Sequence, residues 1–309
     1  MAITLATPHE YAAAYLADGT VKVKGFDVEP SWPESGGAGS IYTSVFKEPM
    51  YDFVILPLSN FLIAMDKGLP LIGLPVFIDI FFPQVGARVN KKAGIEGPLD
   101  LEGKRVGVRG FAFNPSVWLR GALSDMYGTA LDKIQWVAAE PNSMSGVDVP
   151  RGPQFEVETT ETPLDEALES GDLDAVFWDR GGPALTENTA YLFAEPFEEA
   201  LKYHLLMGIL PLNSVLLAKR DVLDANPGLA QAVVDASNEA RQLYYDNASD
   251  DEMHMGLPLR WLRTSGVFPH RNGVGENRTS LEAIIRYAHD LGLISRRFAP
   301  EELFFDGAK

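Results

Sequence analysis

No cysteine occurs anywhere in the 309 residues, which excludes disulfides, thiolate metal sites and a cysteine nucleophile and leaves the redox compartment open. Histidine is scarce. His9, His204, His254, His270 and His289 lie far apart in sequence and show neither HExxH nor His-x-His spacing, so a metal site has no support. Phosphate-cradling and nucleophile motifs are missing as well. Without a GxxxxGK[ST] loop, a strand followed by GxGxxG, or a GxSxG elbow, neither a nucleotide cofactor nor serine hydrolysis is indicated, and no cofactor is expected. Positive charge is in deficit: 26 basic residues stand against 43 acidic ones, a net charge of -17 that repels nucleic acid and anionic membrane surfaces. The most apolar segment, Leu69 to Phe82, carries Asp79 and two prolines and is too short to span a bilayer. Met1 leads directly into Ala2-Ile3-Thr4-Leu5 with no basic n-region and no apolar h-region, so with Met1 as the start a cytoplasmic protein is expected.

What is present reads as an ordinary globular chain, 46% hydrophobic and 22% charged, long enough for two domains of usual size. The oligomeric state is open, a homo-oligomer included. Strand and helix patterns alternate. Ile3 to Ala6 reads as a strand, Thr7-Pro8-His9-Glu10 as a capping box opening a helix to about Ala17, and Val21 to Val28 as an edge strand. Gly36 to Gly39 reads as loop, Ile41 to Phe46 as a short helix and Tyr51 to Leu56 as a buried strand. Ser59-Asn60 then caps a helix ending near Gly68, and Leu71 to Phe77 is a further strand. A second unit repeats this order from Lys104 to Phe177, followed by an extended run from Met207 to Ala218 and a largely helical C-terminal part. Such alternation implies a parallel sheet with helices on both faces.

In sheets of this kind ligands sit beyond the carboxyl ends of the strands, and the loops there supply the candidates. In the stretch from Gly103 to Gly128, Asn114 followed by Pro115 reads as an N-cap with proline at the first helical position. The helix start, with Phe111 and Ser116 beside it, then offers backbone N–H groups to an anion. An ordinary strand-to-helix crossover is the plain alternative. Ser59, Asn60, Asn213 and Ser214 occupy equivalent exits, and His9 lies in a cap expected to face the cleft. Asp79 stands among Val76, Phe77, Ile78, Ile80, Phe81 and Phe82, where burial should raise its pKa. It is either a general acid in an apolar pocket or the acceptor for a turn N–H. Arg180 either clamps a carboxylate with its planar fork or neutralises Asp179.

The segments GKRVGV and NPSVWLRGALSDMYG, the C-terminal RYAHDLGLISRRFAPEELF, and the shorter LADG, PLSNF, GLPVF and DANPGLAQ resemble the 4,5-dihydroxyphthalate decarboxylase family, which is similar in fold to the type II periplasmic binding proteins. The resemblance spans nearly the whole chain. It implies an α/β protein of two lobes, residues 1–84 with 204–309 and residues 85–203, with a ligand cleft between them. It also implies a cofactor-independent decarboxylase or related lyase acting on a small, aromatic carboxylate in aromatic catabolism, with Asp79 and His9 as catalytic candidates. The family pattern places basic residues at the start of the first helix and after the PVF strand, and a histidine in the returning strand. Here those places hold Tyr11-Ala12-Ala13, Asp79 to Gln84, and Asn213-Ser214. A pocket for a dianion needs paired cations, so the departures point to a site for one carboxylate. The alternative is a carboxylate-binding protein without catalysis.

Overall fold

The computed structural model describes residues 2–35, 37–140 and 149–308. Four strands open the chain: β1 (Ile3–Ala6), β2 (Val28–Ser31), β3 (Phe53–Pro57) and β4 (Leu71–Phe77). Six more form a separate sheet: β5 (Ala87–Asn90), β6 (Arg105–Val108), β7 (Gln135–Ala138), β8 (Val157–Thr159), β9 (Ala175–Phe177) and β10 (Thr189–Tyr191). The chain then returns as β11 (Ser214–Lys219), which inserts antiparallel between β3 and β4 and completes a five-stranded sheet of order β2-β1-β3-β11-β4. In the six-stranded sheet, ordered β10-β5-β9-β6-β7-β8, the four strands from β9 to β8 are parallel.

β4 is buried at every residue, and β3 at all but Pro57, because helices cover both sheet faces. The two-residue alternation divides their side chains. Phe53, Ile55, Ile72 and Leu216 pack beneath the Leu229–Asn247 helix through Leu229 and Val233, whereas Val54, Leu56 and Phe61 join a core that continues through Val106 and Phe177 of the second sheet and Trp118 of the helix on it. The Asn114–Tyr127 helix reinforces this junction. Asp125 receives two hydrogen bonds from Arg286, at 2.9 and 2.6 Å, and one from the Tyr287 hydroxyl at 2.6 Å.

Between the sheets the outgoing and returning segments pair with each other: Phe81 N donates to Pro211 O, Asn213 N to Asp79 O, and Ile78 N to Ser214 O. Asp79 and Asn213 therefore lie on a two-stranded crossing, where main-chain pairing holds both side chains in place.

Several local expectations change. The first strand's partner is Val28–Ser31 rather than Val21 to Val28, since only that part reaches the β1 ladder. No capping box forms at Thr7; its hydroxyl donates to Ala13 O, and the following turns are a 3-10 segment, Tyr11–Ala13, and a single α-turn, Ala14–Ala17. Helix starts earlier than expected at Gly37–Val45, so Gly37 to Gly39 are its first turn, while Gly36 lies outside the described residues. The Pro196–Met207 helix takes only the first residue of the run expected to be extended, and Ser214 to Ala218 of that run lies in β11. Within the C-terminal part expected to be largely helical, His254 lies in the short strand Met253–His254 paired with Leu257–Pro258.

Candidate active site

A cavity of about 540 Å³ opens between the two sheets. The segments after seven parallel strands all contribute: Glu10 and Tyr11 after β1, Trp32 after β2, Asn60 after β3, Asp79 after β4, Arg109 after β6, Glu140 after β7, and Arg180 after β9. This is the position that an open α/β sheet assigns to its ligand. β11 runs the other way and brings its first residue, Ser214, to the same place. The Gly37–Val45 helix also begins here, with Gly37, Ala38 and Gly39 in the wall.

Asp79 forms part of the floor, 8% exposed, beside Ile55 and Ile78. Its Oδ1 accepts from Ser214 N at 3.0 Å and its Oδ2 from the Asn213 side-chain amide at 3.2 Å. Burial drives the pKa of this carboxyl up, and the two hydrogen bonds, which favour the ionised form, only partly oppose that. Burial and the neighbouring Asp79 also raise the Tyr42 phenol, so Tyr42 stays protonated in the cavity wall and can donate a hydrogen bond.

Arg180 has φ 48°, and Gly181 and Gly182 follow at 83° and 68°, so three consecutive residues occupy the left-handed region. Buried Arg88 holds this turn from beneath, donating to Val85 O at 2.7 Å and closely to Gly181 O, with its guanidinium 4.0 Å above the Tyr191 ring. Across the mouth, the Arg180 guanidinium meets Glu10 at 3.5 Å. Arg109 is paired in the same manner with Glu140 at 3.1 Å.

Asn114 does something the sequence reading did not anticipate. Instead of capping its own helix, for which Phe113 is the N-cap, it is the first helical residue. Its Oδ1 accepts from Ser59 N at 3.0 Å, which caps the first turn of the Leu58–Asp66 helix in the other sheet's layer. Its Nδ2 donates to Leu212 O at 3.1 Å and to Asn213 Oδ1 at 3.2 Å. Asn114→Ala removes the partner of the buried Ser59 amide and of Asn213 Oδ1, whereas Leu212 O keeps Trp118 Nε1, and should cost about 2 kcal/mol of stability, read from denaturant unfolding. A loss below 0.5 kcal/mol, roughly the level of an ordinary surface change, would remove this bridging role.

Of the residues singled out from sequence, the structure brings Asn60, Asp79, Asn114, Arg180, Asn213 and Ser214 into one cavity wall. Four others do not line it. His9 is exposed, because Tyr11 takes a left-handed φ of 52° and the turn presents Pro8, Glu10 and Tyr11 to the cleft instead. Ser59 is fully buried, and its hydroxyl donates to Ala112 O rather than capping its helix, whose N-cap is Pro57. Phe111 packs on Phe155 beneath the Arg120 guanidinium, and the Ser116 hydroxyl accepts from Arg120. Sequence reasoning missed Trp32, Tyr42, Phe113, Arg109 and Glu140. Arg109 had a visible signal, since it immediately follows the β6 strand; Tyr42 had none. Two histidines separated in sequence do meet: the His254 and His270 rings are 6.5 Å apart, buried behind Tyr11, whose ring lies 4.4 Å from His254. Desolvation lowers His254 to about 3, so it stays neutral at ordinary pH. Among the described residues no group of three or more His, Asp or Glu could hold a metal ion, and no helix is long and apolar enough to cross a membrane.

The fold is the two-lobed α/β fold of the type II periplasmic binding proteins, with a cavity between the lobes. The chain belongs to the 4,5-dihydroxyphthalate decarboxylase family. It is 30% identical to the 4,5-dihydroxyphthalate decarboxylase of Pseudomonas putida over 59% of this chain and 72% of that protein. Its likeness to the Comamonas testosteroni enzyme of the same name is 28%, covering 94% of this chain and 92% of that one. No family model matches. Similar solved structures include the aliphatic sulphonate binding protein SsuA of Escherichia coli (TM-score 0.59, 15% identity, 99% of this chain and 92% of that one). Another is the desulfurization enzyme DSZB with biphenyl-2-sulfinic acid (TM-score 0.57, 16% identity, 98% and 96%).

Proposed function

We propose that the protein is a cofactor-independent decarboxylase of a small aromatic carboxylate, with Asp79 as the proton donor. The observation that carries this reading is a buried carboxyl with a raised pKa at the base of a cavity walled by Trp32, Tyr42, Phe113, Ile55 and Ile78, in a chain of a decarboxylase family. An aromatic acid stacks against these rings, with its carboxylate toward Arg180 and Arg109. Protonated Asp79 gives its proton to the ring carbon that bears the carboxylate. The bond from that carbon to the carboxylate then breaks, its electron pair restores the aromatic ring, CO2 leaves, and Asp79 recovers a proton from solvent.

The direct test is CO2 release by purified protein from a panel of hydroxylated and unsubstituted aromatic acids. If none is turned over while some bind at micromolar levels, the second reading stands: a carboxylate-binding protein, which the similarity to sulphonate-binding proteins supports. Both readings use Arg180. Arg180→Ala should weaken ligand binding by about 2 kcal/mol, as loss of a charge-assisted pair does. Unchanged affinity by calorimetry would take Arg180 out of the site.

A further inference from the structure

The charge of the cavity wall restricts its ligand further than the aromatic-acid reading, on which the following rests. Two guanidiniums, Arg109 and Arg180, line the cavity, and each already faces a glutamate, at 3.1 and 3.5 Å. Four carboxyl groups line it: Glu10, Asp79, Glu140 and Asp179. No other lysine, arginine or histidine lines the cavity among the described residues, and residues 141–148, which follow Glu140, contain none in their sequence. A first carboxylate on the ligand can share the two guanidiniums with their glutamates. A second has to compete with Glu10 and Glu140 for the same two guanidiniums, and it adds repulsion from Glu10, Glu140 and Asp179, which protonated Asp79 does not join. Glu10, Glu140 and Asp179 are hydrogen-bond acceptors, so they favour a ligand whose remaining polar groups donate.

We propose that the cleft selects singly charged aromatic acids bearing hydroxyl or amino donors and discriminates against phthalate-type dianions. Glu10 and Glu140 are the residues that set this limit. They act through repulsion as much as the arginines act through attraction, which is how a site rejects a close analogue.

The test is titration calorimetry of the full chain with 3,4-dihydroxybenzoate, benzoate and 4,5-dihydroxyphthalate, with CO2 measured in the same samples. 3,4-Dihydroxybenzoate should bind at least about tenfold more tightly than the dianion, and the gap should narrow as salt screens the acids. Benzoate, lacking donors, should bind about fivefold more weakly than its dihydroxy analogue. Glu10→Gln with Glu140→Gln should narrow the gap between monoanion and dianion by about tenfold; both side chains are half exposed, so the variant keeps its fold. A dianion that binds as tightly as the monoanion overturns the proposal, as does a gap that the double variant and salt leave unchanged, or no binding by any of the three. Benzoate binding as tightly as 3,4-dihydroxybenzoate overturns the preference for donors. Tight monoanion binding without CO2 supports the charge limit while ending the decarboxylase reading, and CO2 from the dianion at comparable affinity does the reverse.

Discussion

Asp79→Asn should lower turnover by about 100-fold or more while ligand affinity changes little, because the amide keeps the shape of the carboxyl but cannot deliver a proton. Wild-type activity should decline on a basic limb as Asp79 ionises. Burial raises the pKa of this group, so that limb lies above the ordinary carboxylate range near 4. The same shift predicts a stability signature with a definite sign. A carboxyl whose folded-state pKa exceeds its unfolded value contributes most below the unfolded pKa, and that contribution is lost as pH rises through the folded value. The amide in the variant does not titrate. The unfolding midpoint of the wild type, measured against that of Asp79→Asn, should therefore fall as the pH is raised from about 4 toward neutrality. A pH-independent difference would show that the folded environment does not perturb Asp79. Full turnover by Asp79→Asn would assign the proton transfer elsewhere and leave Asp79 as the acceptor that orders Asn213 and Ser214.

Gly256→Ala should reduce kcat/KM, or affinity if there is no turnover, by roughly 100-fold, the scale on which a displacement of about 1 Å disables a positioned site. Gly256 has φ 86°, and a Cβ there would lie 2.5 Å from Arg180 C and 2.7 Å from Gly181 N. The obstruction is backbone against backbone, so no side-chain rotation relieves it. Either the Met253–Pro258 hairpin or the turn carrying Arg180 has to move. Met255, whose N–H donates to the Tyr11 hydroxyl at 3.2 Å, would move with the hairpin and disturb a second part of the wall. Gly266 is the natural control. It has a similar φ of 74° with no atom near its absent Cβ, so Gly266→Ala carries the left-handed strain, about 1 kcal/mol, without the collision. Should both alanine variants lose activity equally, backbone strain rather than close packing at the cleft mouth would be responsible.

Much of the architecture was legible locally. Alternating strand and helix patterns, apolar strands without polar interruptions, and polar residues at strand exits all follow from side-chain periodicity and burial, which neighbouring residues report. This is why β3 and β4 lie close to where the pattern puts them. Asp79 stood out because one carboxyl in an apolar run has few tolerable environments. The absence of cysteine and of phosphate-binding motifs likewise narrowed the chemistry without reference to any fold.

Partnership was a different matter, since it depends on which segments the tertiary structure sets side by side. The Asn114-Pro115 pair marked a helix start correctly, and the helix does begin at Asn114. Whether that amide would cap its own helix or another was not local information: its Oδ1 reaches Ser59 N, 55 positions away in the chain. His9 followed the same rule in the opposite direction. A cap was a sound expectation for Thr7-Pro8-His9-Glu10, but Tyr11 is held instead by Met255 and His254, and the turn that results leaves His9 in solvent. The pairing of each cleft arginine with a glutamate also appears only once the loops converge. Periodicity and composition thus determined the elements and excluded chemistries, while the charge state of the cavity and the donor that reaches each acceptor were decided by contacts between residues remote in sequence, whose energies no local pattern contains.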